Sequence, residues 1–83
     1  MRESIKPAVT LYTRPGCHLC DDARVVLEEV QRERAFDLTI VDVDTDPKLA
    51  ELYGLEVPVV FIDGEKAFVY RVDASTLRSR LCV

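Results

Sequence analysis

Two cysteines, Cys17 and Cys20, are separated by His18 and Leu19 and follow an apolar run at residues 8–12. An amphipathic stretch begins immediately after them, which places the pair at a predicted strand-to-helix junction. Residues three apart on a helix have Cβ atoms about 5–6 Å apart, so small adjustments can join two sulfur atoms. The first cysteine would stand where unpaired backbone N–H groups and the positive end of the helix dipole stabilise a thiolate. The spacing therefore predicts a disulfide that is made and broken.

The two thiols are predicted to have different roles. The Cys17 thiolate would accept a hydrogen bond from the backbone N–H of Leu19 or Cys20, as an N-cap side chain does, and such a setting favours the reactive anion. Cys20 would then attack the mixed disulfide that Cys17 forms with a substrate. Asp21 and Asp22 follow directly, and their charges suit the helix dipole but repel a nearby thiolate.

The sequence leaves more than one role open for His18 and for Cys82. His18, the only histidine, is either a group that tunes Cys17 near neutral pH or an exposed residue between the cysteines. Cys82 is expected to be a half-buried residue of the final helix, with a second redox step or a glutathionylation site as the alternative roles.

The composition indicates one acidic globular domain. We expect a single domain over residues 1–83 with residues 1–7 as an N-terminal tail, which lacks the apolar segment of a signal peptide. The net charge of −4 argues against nucleic acid or an anionic membrane surface as a partner. The number of cysteines, three, fits cytoplasmic redox chemistry better than a secreted disulfide framework. We therefore expect a cytoplasmic protein.

Hydrophobic spacing predicts the element order β-α-β-α-β-β-α. Strands are expected at residues 8–12, 36–44, 58–62 and 66–71, and helices at residues 18–32, from Asp46-Pro47 to Gly54, and after a cap at Asp73 or Ser75. Asp63-Gly64 is typical of a hairpin turn between the last two strands. A right-handed crossover makes the first two strands parallel, and the hairpin adds an antiparallel strand. The expected fold is a mixed α/β sheet with helices on both faces.

The first helix is predicted to be amphipathic. Its apolar positions recur at helical spacing and form one face: Leu19, Ala23, Val26, Leu27 and Val30. On its polar face, Glu28 and Arg32 are expected to form an i,i+4 pair.

The segment Tyr12–Cys20, the element order, and Val57-Pro58 ahead of a buried strand resemble the glutaredoxin family of the thioredoxin fold, and more narrowly the small bacterial glutaredoxin-like proteins. The resemblance covers residues 8 to 82 and implies a thioredoxin-like, four-stranded mixed sheet. It implies that Cys17 is the nucleophile and Cys20 the resolving cysteine. It also implies a cis peptide bond at Val57-Pro58, whose exposed backbone would pair with an extended substrate.

The resemblance implies two further substrate-binding residues. Arg14 lies where many glutaredoxins carry a lysine that helps to hold glutathione, and Asp73 matches the acidic residue at the start of the last helix. The chain departs from the family pattern in three places. His18-Leu19 lies between the cysteines where Pro-Tyr is usual, Glu56 replaces a threonine, and Arg71-Val72 replaces a Gly-Gly pair that lets glutathione approach closely.

These features predict a thiol–disulfide oxidoreductase that reduces protein or small-molecule disulfides. The expected electron donor is glutathione or a flavoprotein reductase. No bound cofactor and no metal are expected, glutathione entering only as a co-substrate, and the protein is expected to be a monomer. Two other functions stay open on the same fold: an iron–sulfur or metal-binding protein in which two subunits share their cysteine pairs, and a peptide-binding module with an idle CxxC.

Overall fold

The structure is a computed structural model that describes residues 6–81, which form four strands and three α-helices. Along the chain the elements are β1 (Ala8–Thr13), α1 (His18–Glu33), β2 (Asp37–Asp42), a 3-10 turn (Val43–Thr45), α2 (Pro47–Tyr53), β3 (Val59–Ile62), β4 (Glu65–Val69) and α3 (Ala74–Leu81). The predicted order is confirmed, with the 3-10 turn added. Cys82, predicted as a half-buried residue, lies outside the described residues.

The four strands form one mixed sheet in the order β2-β1-β3-β4. β1 and β2 are parallel, as the crossover rule predicts, and β3 is antiparallel to both β1 and β4. Val59, the first residue of β3, lies opposite Tyr12 near the end of β1. Val59 and Val60 are completely buried, as a central strand covered on both faces requires. The register brings the start of β3 next to the loop that follows β1.

One face of the sheet is covered by α1 and α3. Its core consists of Val9, Leu11, Ala23, Leu27, Val30, Phe36, Val60, Ile62, Leu77 and Leu81. At the surface, Arg78 Nε and Nη2 donate to the two carboxylate oxygens of Glu33 at 2.8 and 3.0 Å. This bidentate contact joins α3 to the end of α1, and the core fixes both helices against β1 and β3.

The opposite face is covered by α2. Side chains alternate along a strand, so the neighbours of the core residues point away from α1. On this side the rings of Tyr12, Phe61 and Tyr53 contact one another, with centroids 4.8 to 5.8 Å apart. All three rings are only half-buried, and Leu52 of α2 is 56% exposed. No residue of α2 is buried, so this helix of two turns covers the face incompletely.

The second strand ends earlier than predicted. It was expected over residues 36–44, but β2 stops at Asp42 and the chain turns. The Asp42 carboxylate accepts a hydrogen bond from the Asp44 N–H at 2.8 Å, and the Asp42 carbonyl accepts one from the Thr45 hydroxyl at 2.7 Å. These short-range hydrogen bonds compete with strand pairing. Asp42, Val43 and Asp44 alternate in polarity as in a strand, but Val43 is the buried residue of a turn.

The last strand also ends early. The prediction extended it to residue 71, but β4 ends at Val69 because Tyr70 has a φ of 72°, which strand geometry does not allow. Of the two predicted caps of α3, Asp73 fills the position, since its carboxylate accepts a hydrogen bond from the Thr76 N–H at 2.9 Å.

The predicted ion pair on α1 is wrong in its partner. Glu28 contacts Arg24 at 3.1 Å, one turn before it, instead of Arg32. Both are i,i+4 pairs, so the sequence spacing could not choose between them.

Candidate active site

The loop between β1 and α1 presents Cys17 at the first turn of the helix. Gly16 has a φ of 76°, a left-handed conformation that a residue with a Cβ adopts rarely. Cys17 then has extended backbone angles and caps α1, with its Sγ accepting a hydrogen bond from the Cys20 N–H at 3.1 Å. The predicted N-cap hydrogen bond is confirmed, with Cys20 as the donor. Negative charge on this sulfur would be stabilised by a backbone N–H group and by the helix dipole.

Cys17 and Cys20 form a disulfide, with their Cα atoms 5.2 Å apart. Their exposure differs, because Cys20 lies one turn into α1 and faces the sheet. Cys20 is 2% exposed, whereas Cys17 is half-buried. A molecule that approaches from solvent therefore meets the Cys17 sulfur first.

Val57 and Pro58 directly precede β3, beside this loop. The peptide bond between them is cis, as the resemblance implied. Pro58 is buried, and its carbonyl oxygen accepts a hydrogen bond from the Tyr70 N–H at 2.8 Å. Val57 is half-buried. Because β3 begins opposite the end of β1, this segment borders the loop that carries Cys17.

Arg14 is held by groups of the protein itself. Its Nε and Nη2 donate to the Asp44 carboxylate at 3.1 and 2.9 Å, and its Nη1 donates to the Gly54 carbonyl at 2.9 Å. Gly54 ends α2, where a cation interacts favourably with the helix dipole. The guanidinium thus ties the loop before Cys17 to the 3-10 turn and to the end of α2. Its role in binding a ligand stays a prediction, and in this structure its donors are directed to Asp44 and Gly54.

Asp73 caps α3 and also forms part of a pocket wall. Its carboxylate accepts hydrogen bonds from the hydroxyl and the N–H of Thr76 at 2.6 and 2.9 Å. These hydrogen bonds, that of the hydroxyl first, lower the pKa of Asp73 below its usual value, with a smaller contribution from the charge of Arg78. The carboxylate is therefore ionised at neutral pH.

A pocket of about 390 Å³ lies between α1 and the segment that follows β4. Its lining residues are Leu19, Asp22, Ala23, Val26, Phe68, Tyr70, Arg71, Val72 and Asp73. The sequence placed Leu19 and Val26 on the apolar face of α1, but both are only half-buried because they line this opening. Sequence reasoning missed Tyr70 altogether, since no local pattern marks it as part of a site.

The remaining candidates have simpler surroundings. His18 is exposed at the first position of α1, and its influence on Cys17 stays a prediction. Within residues 6–81, no three His, Cys, Asp or Glu side chains lie close enough together to hold a metal ion. None of the helices in this range has the length and apolar composition that crossing a membrane requires.

Comparison with known proteins agrees with this geometry. Residues 8–82 match the Glutaredoxin-like domain (DUF836). An uncharacterized protein of Mycobacterium tuberculosis is 35% identical over 79 residues, which cover 89% of this chain and 81% of that protein. A thioredoxin of Methanocaldococcus jannaschii is 34% identical over 67 residues, or 77% of this chain and 79% of its own.

A solved structure gives the same result. The X-ray structure of a structural-genomics target protein from X. campestris is 37% identical, covers 88% of this chain and 93% of its own, and superposes with a TM-score of 0.73. The sequence match and the shared fold indicate the same family for this protein. The chain belongs to the glutaredoxin-like (DUF836) family of the thioredoxin fold.

Proposed function

We propose that the protein is a thiol–disulfide oxidoreductase in which Cys17 and Cys20 alternate between dithiol and disulfide. The observation that carries the proposal is the position of the Cys17 sulfur, half-buried at the start of α1 with the Cys20 N–H 3.1 Å away. The thiolate is the reactive form of a cysteine, and a helix N-terminus favours it. The buried second sulfur one turn behind supplies the resolving group.

The reaction consists of two exchanges. The Cys17 thiolate attacks one sulfur of a substrate disulfide, so that a Cys17–substrate bond forms and one substrate thiolate leaves. Cys20 loses its proton and attacks the Cys17 sulfur, which forms the Cys17–Cys20 disulfide and releases the second substrate thiolate. The substrate gains two electrons and the protein loses two. A dithiol of a flavoprotein reductase, or two molecules of glutathione, would return the protein to its reduced form.

The backbone at Val57 is the proposed contact for the substrate chain. Val57 lies two residues before the central strand β3 and borders the loop of Cys17. An extended peptide can pair with such a backbone by main-chain hydrogen bonds. Glu56, the residue before it, forms an ion pair with Lys66 at 3.3 Å. The pair weakens the negative potential around Glu56 without abolishing it. We propose that the protein is a monomeric enzyme of the cytoplasm and that its main substrates are disulfide-containing polypeptides.

The test is reduction of insulin disulfides and of hydroxyethyl disulfide by purified protein, with either glutathione or a thioredoxin reductase as donor. All variants carry Cys82→Ser, so that thiol signals come from the pair alone. We expect turnover in this background, none with Cys17→Ser, and an accumulating mixed disulfide with Cys20→Ser, detected by mass spectrometry.

Absence of turnover with both donors, for protein whose two thiols are free, would refute the enzyme proposal. The measured alkylation rate of Cys17 then separates the remaining readings. Slow alkylation, typical of an ordinary thiol, would point to a peptide-binding module. Coloured or metal-containing protein after anaerobic purification would point to a shared metal site.

A further inference from the structure

We propose that the pocket between α1 and the segment after β4 receives an apolar side chain that lies next to the reacting cysteine of a polypeptide substrate. We further propose that the acidic rim of this pocket favours a basic residue beside that side chain. This inference rests on the proposed oxidoreductase function, because it assigns a substrate class to the same site. It is carried by where the pocket lies, what lines it and how its rim is charged.

The first wall begins between the two cysteines. Leu19 lies between Cys17 and Cys20 in sequence, and Ala23 and Val26 continue from it at helical spacing along the same side of α1. Leu19 and Val26 are half-buried although they belong to the apolar face of the helix. A side chain attached near a disulfide that has reached Cys17 would therefore meet apolar surface within one turn.

The second wall is joined to the Val57-Pro58 segment. The Tyr70 N–H donates to the Pro58 carbonyl at 2.8 Å, and the Tyr70 side chain lines the pocket while half of its surface remains exposed. Its φ of 72° is unfavourable for a residue with a Cβ, and such conformations concentrate at functional sites. The pocket therefore adjoins both parts of the candidate active site, because Leu19 belongs to the cysteine turn and Tyr70 is hydrogen-bonded to the segment before β3.

The size and lining of the pocket fit one or two side chains. Its volume of about 390 Å³ is at the lower end of the ~300–1,000 Å³ that ligand sites occupy. Apolar side chains from both walls line it, namely Leu19, Val26, Phe68 and Val72. Filling such a surface with an aliphatic or aromatic side chain removes apolar area from water on both partners. A small polar thiol offers little of that area.

The rim of the pocket carries more negative than positive charge. Asp22 and Asp73 contribute two carboxylates, and Arg71 contributes one guanidinium. The charge of Arg78 also acts on Asp73, but its guanidinium is paired with Glu33. Among residues 6–81, the ion pairs of the structure involve neither Asp22 nor Asp73. A basic residue of a substrate would find a complementary charge there, whereas glutathione brings two carboxylates and one ammonium group. The occupant that fits is thus a peptide disulfide with an apolar and a basic residue beside its cysteine.

The experiment uses four synthetic peptide disulfides that differ only beside the cysteine, with leucine or glycine at one neighbour and arginine or glutamate at the other. We expect the KM of the leucine–arginine peptide to be at least tenfold lower than that of the glycine–glutamate peptide. Val26→Trp, which fills the pocket, should remove the preference for leucine. Val25→Trp is the matched control, since Val25 is 52% exposed on the same helix and lies outside the pocket lining, and it should keep the preference.

The charge is tested in the same way. Asp22→Asn should reduce the preference for arginine over glutamate at least threefold, whereas Asp21→Asn, one residue away and outside the lining, should leave that ratio unchanged. Equal KM values for all four peptides with the wild-type protein, or an unchanged preference in Val26→Trp, would overturn the pocket proposal. If the tryptophan variant does not fold, Val26→Ala replaces it. This change removes apolar surface from the pocket wall and should weaken the preference for leucine.

A binding measurement separates this proposal from the proposed function. Peptides with serine in place of cysteine are titrated into the disulfide form of the protein, and the change in NMR chemical shifts is followed. Binding that prefers leucine and depends on Val26, in a protein without turnover, would retain the pocket and refute the enzyme. Turnover without any peptide preference would retain the enzyme and refute the pocket.

Discussion

The loop that carries Cys17 is bordered by two regions whose groups are used differently. On the side of α2, the donors of Arg14 are taken up by Asp44 and the Gly54 carbonyl. On the side of α3, the surface of α1 and the segment after β4 enclose a pocket. The first region is closed by contacts within the protein, and the second offers apolar surface and charge. A substrate of the proposed reaction would therefore have room on the α3 side, while on the α2 side it would have to displace contacts that already exist.

The contrast changes how Arg14 is interpreted. The resemblance assigns it to glutathione, yet a substrate carboxylate would compete with Asp44 for the same guanidinium. Arg14 and Asp44 form an ion pair on a partly exposed surface. Ion pairs in such a setting contribute little net stability by themselves. The hydrogen bond to Gly54 adds a link across a larger distance in sequence. Four predictions test the two regions, from the largest expected effect to the smallest.

Gly54→Ala should damage the closed region most. A Cβ at this position would collide with the Ala50 carbonyl oxygen and would lie 2.9 Å from Arg14 Nη2. The Gly54 backbone has a helical φ of −56°, so alanine brings a gain of about 0.4–1 kcal/mol from the unfolded chain. Overpacking costs about 1–3 kcal/mol, and we expect a net loss of about 1–2 kcal/mol in the free energy of urea unfolding.

The control for this change is Leu55→Ala. Leu55 is the next residue and is 91% exposed, so its truncation should alter stability by no more than about 0.5 kcal/mol. A Gly54→Ala protein as stable as the wild type would show that α2 can shift away from Arg14, and that the closed region is looser than its contacts indicate.

Arg14→Met should have a smaller effect. It removes the contacts to Asp44 and Gly54 while keeping the apolar stem, and we expect a loss of about 1 kcal/mol in unfolding free energy. Arg24→Met is the matched control, because the Arg24–Glu28 pair is an exposed i,i+4 contact on α1 that contributes about 0.3–0.5 kcal/mol.

Asp44→Asn then separates two roles of Arg14. If the guanidinium mainly ties the loop to its neighbours, Asp44→Asn lowers stability and leaves the KM for oxidised glutathione unchanged, which is our expectation. A clear fall in that KM would instead show that Asp44 had been withholding Arg14 from a substrate carboxylate.

The pH dependence of the α3 side should be the smallest effect, since its titrating groups are exposed. The hydrogen bond from Arg78 lowers the pKa of Glu33 below its usual 4.5, and the hydrogen bonds from Thr76 lower the pKa of Asp73 below its usual 3.8. A carboxyl whose pKa is lower in the folded state stabilises the fold fully above its unfolded pKa. That stabilisation is lost as the pH falls through the folded value.

We therefore expect stability to decline as the pH is lowered below about 4.5, measured by unfolding between pH 6 and pH 2.5. Glu33→Gln and Asp73→Asn should each flatten the decline, and Arg78→Met should remove the part that depends on Glu33. A decline that is identical in all of these variants would mean that other carboxyls cause it, and that α3 is not anchored through these two groups.

The sequence predicted the elements near the site well where the signals are local. The cap at Asp46, with Pro47 in the first helical position, was correct, as was the stop at Gly54. A hydrogen bond to the Cys17 sulfur from the N–H of Leu19 or Cys20 was also predicted, because it spans only two or three residues, and the structure has Cys20 as the donor. Strand ends were less accurate. At the end of β2, the Asp42 side chain accepts a hydrogen bond from the Asp44 N–H. At Tyr70 the chain adopts a left-handed conformation, which the residue type does not predict.

What could be read from the chain alone is the chemistry: a thiol pair one helical turn apart, its position after the first strand, and the order of the elements that hold it. These depend on backbone preferences and hydrogen bonds that act within a few residues. What surrounds the pair came from the folded arrangement. Arg14 reaches Asp44 across 30 residues and Gly54 across 40, and the pocket needs α1 and the segment after β4 to lie side by side. Such contacts depend on strand register and helix packing, which no short stretch of sequence specifies.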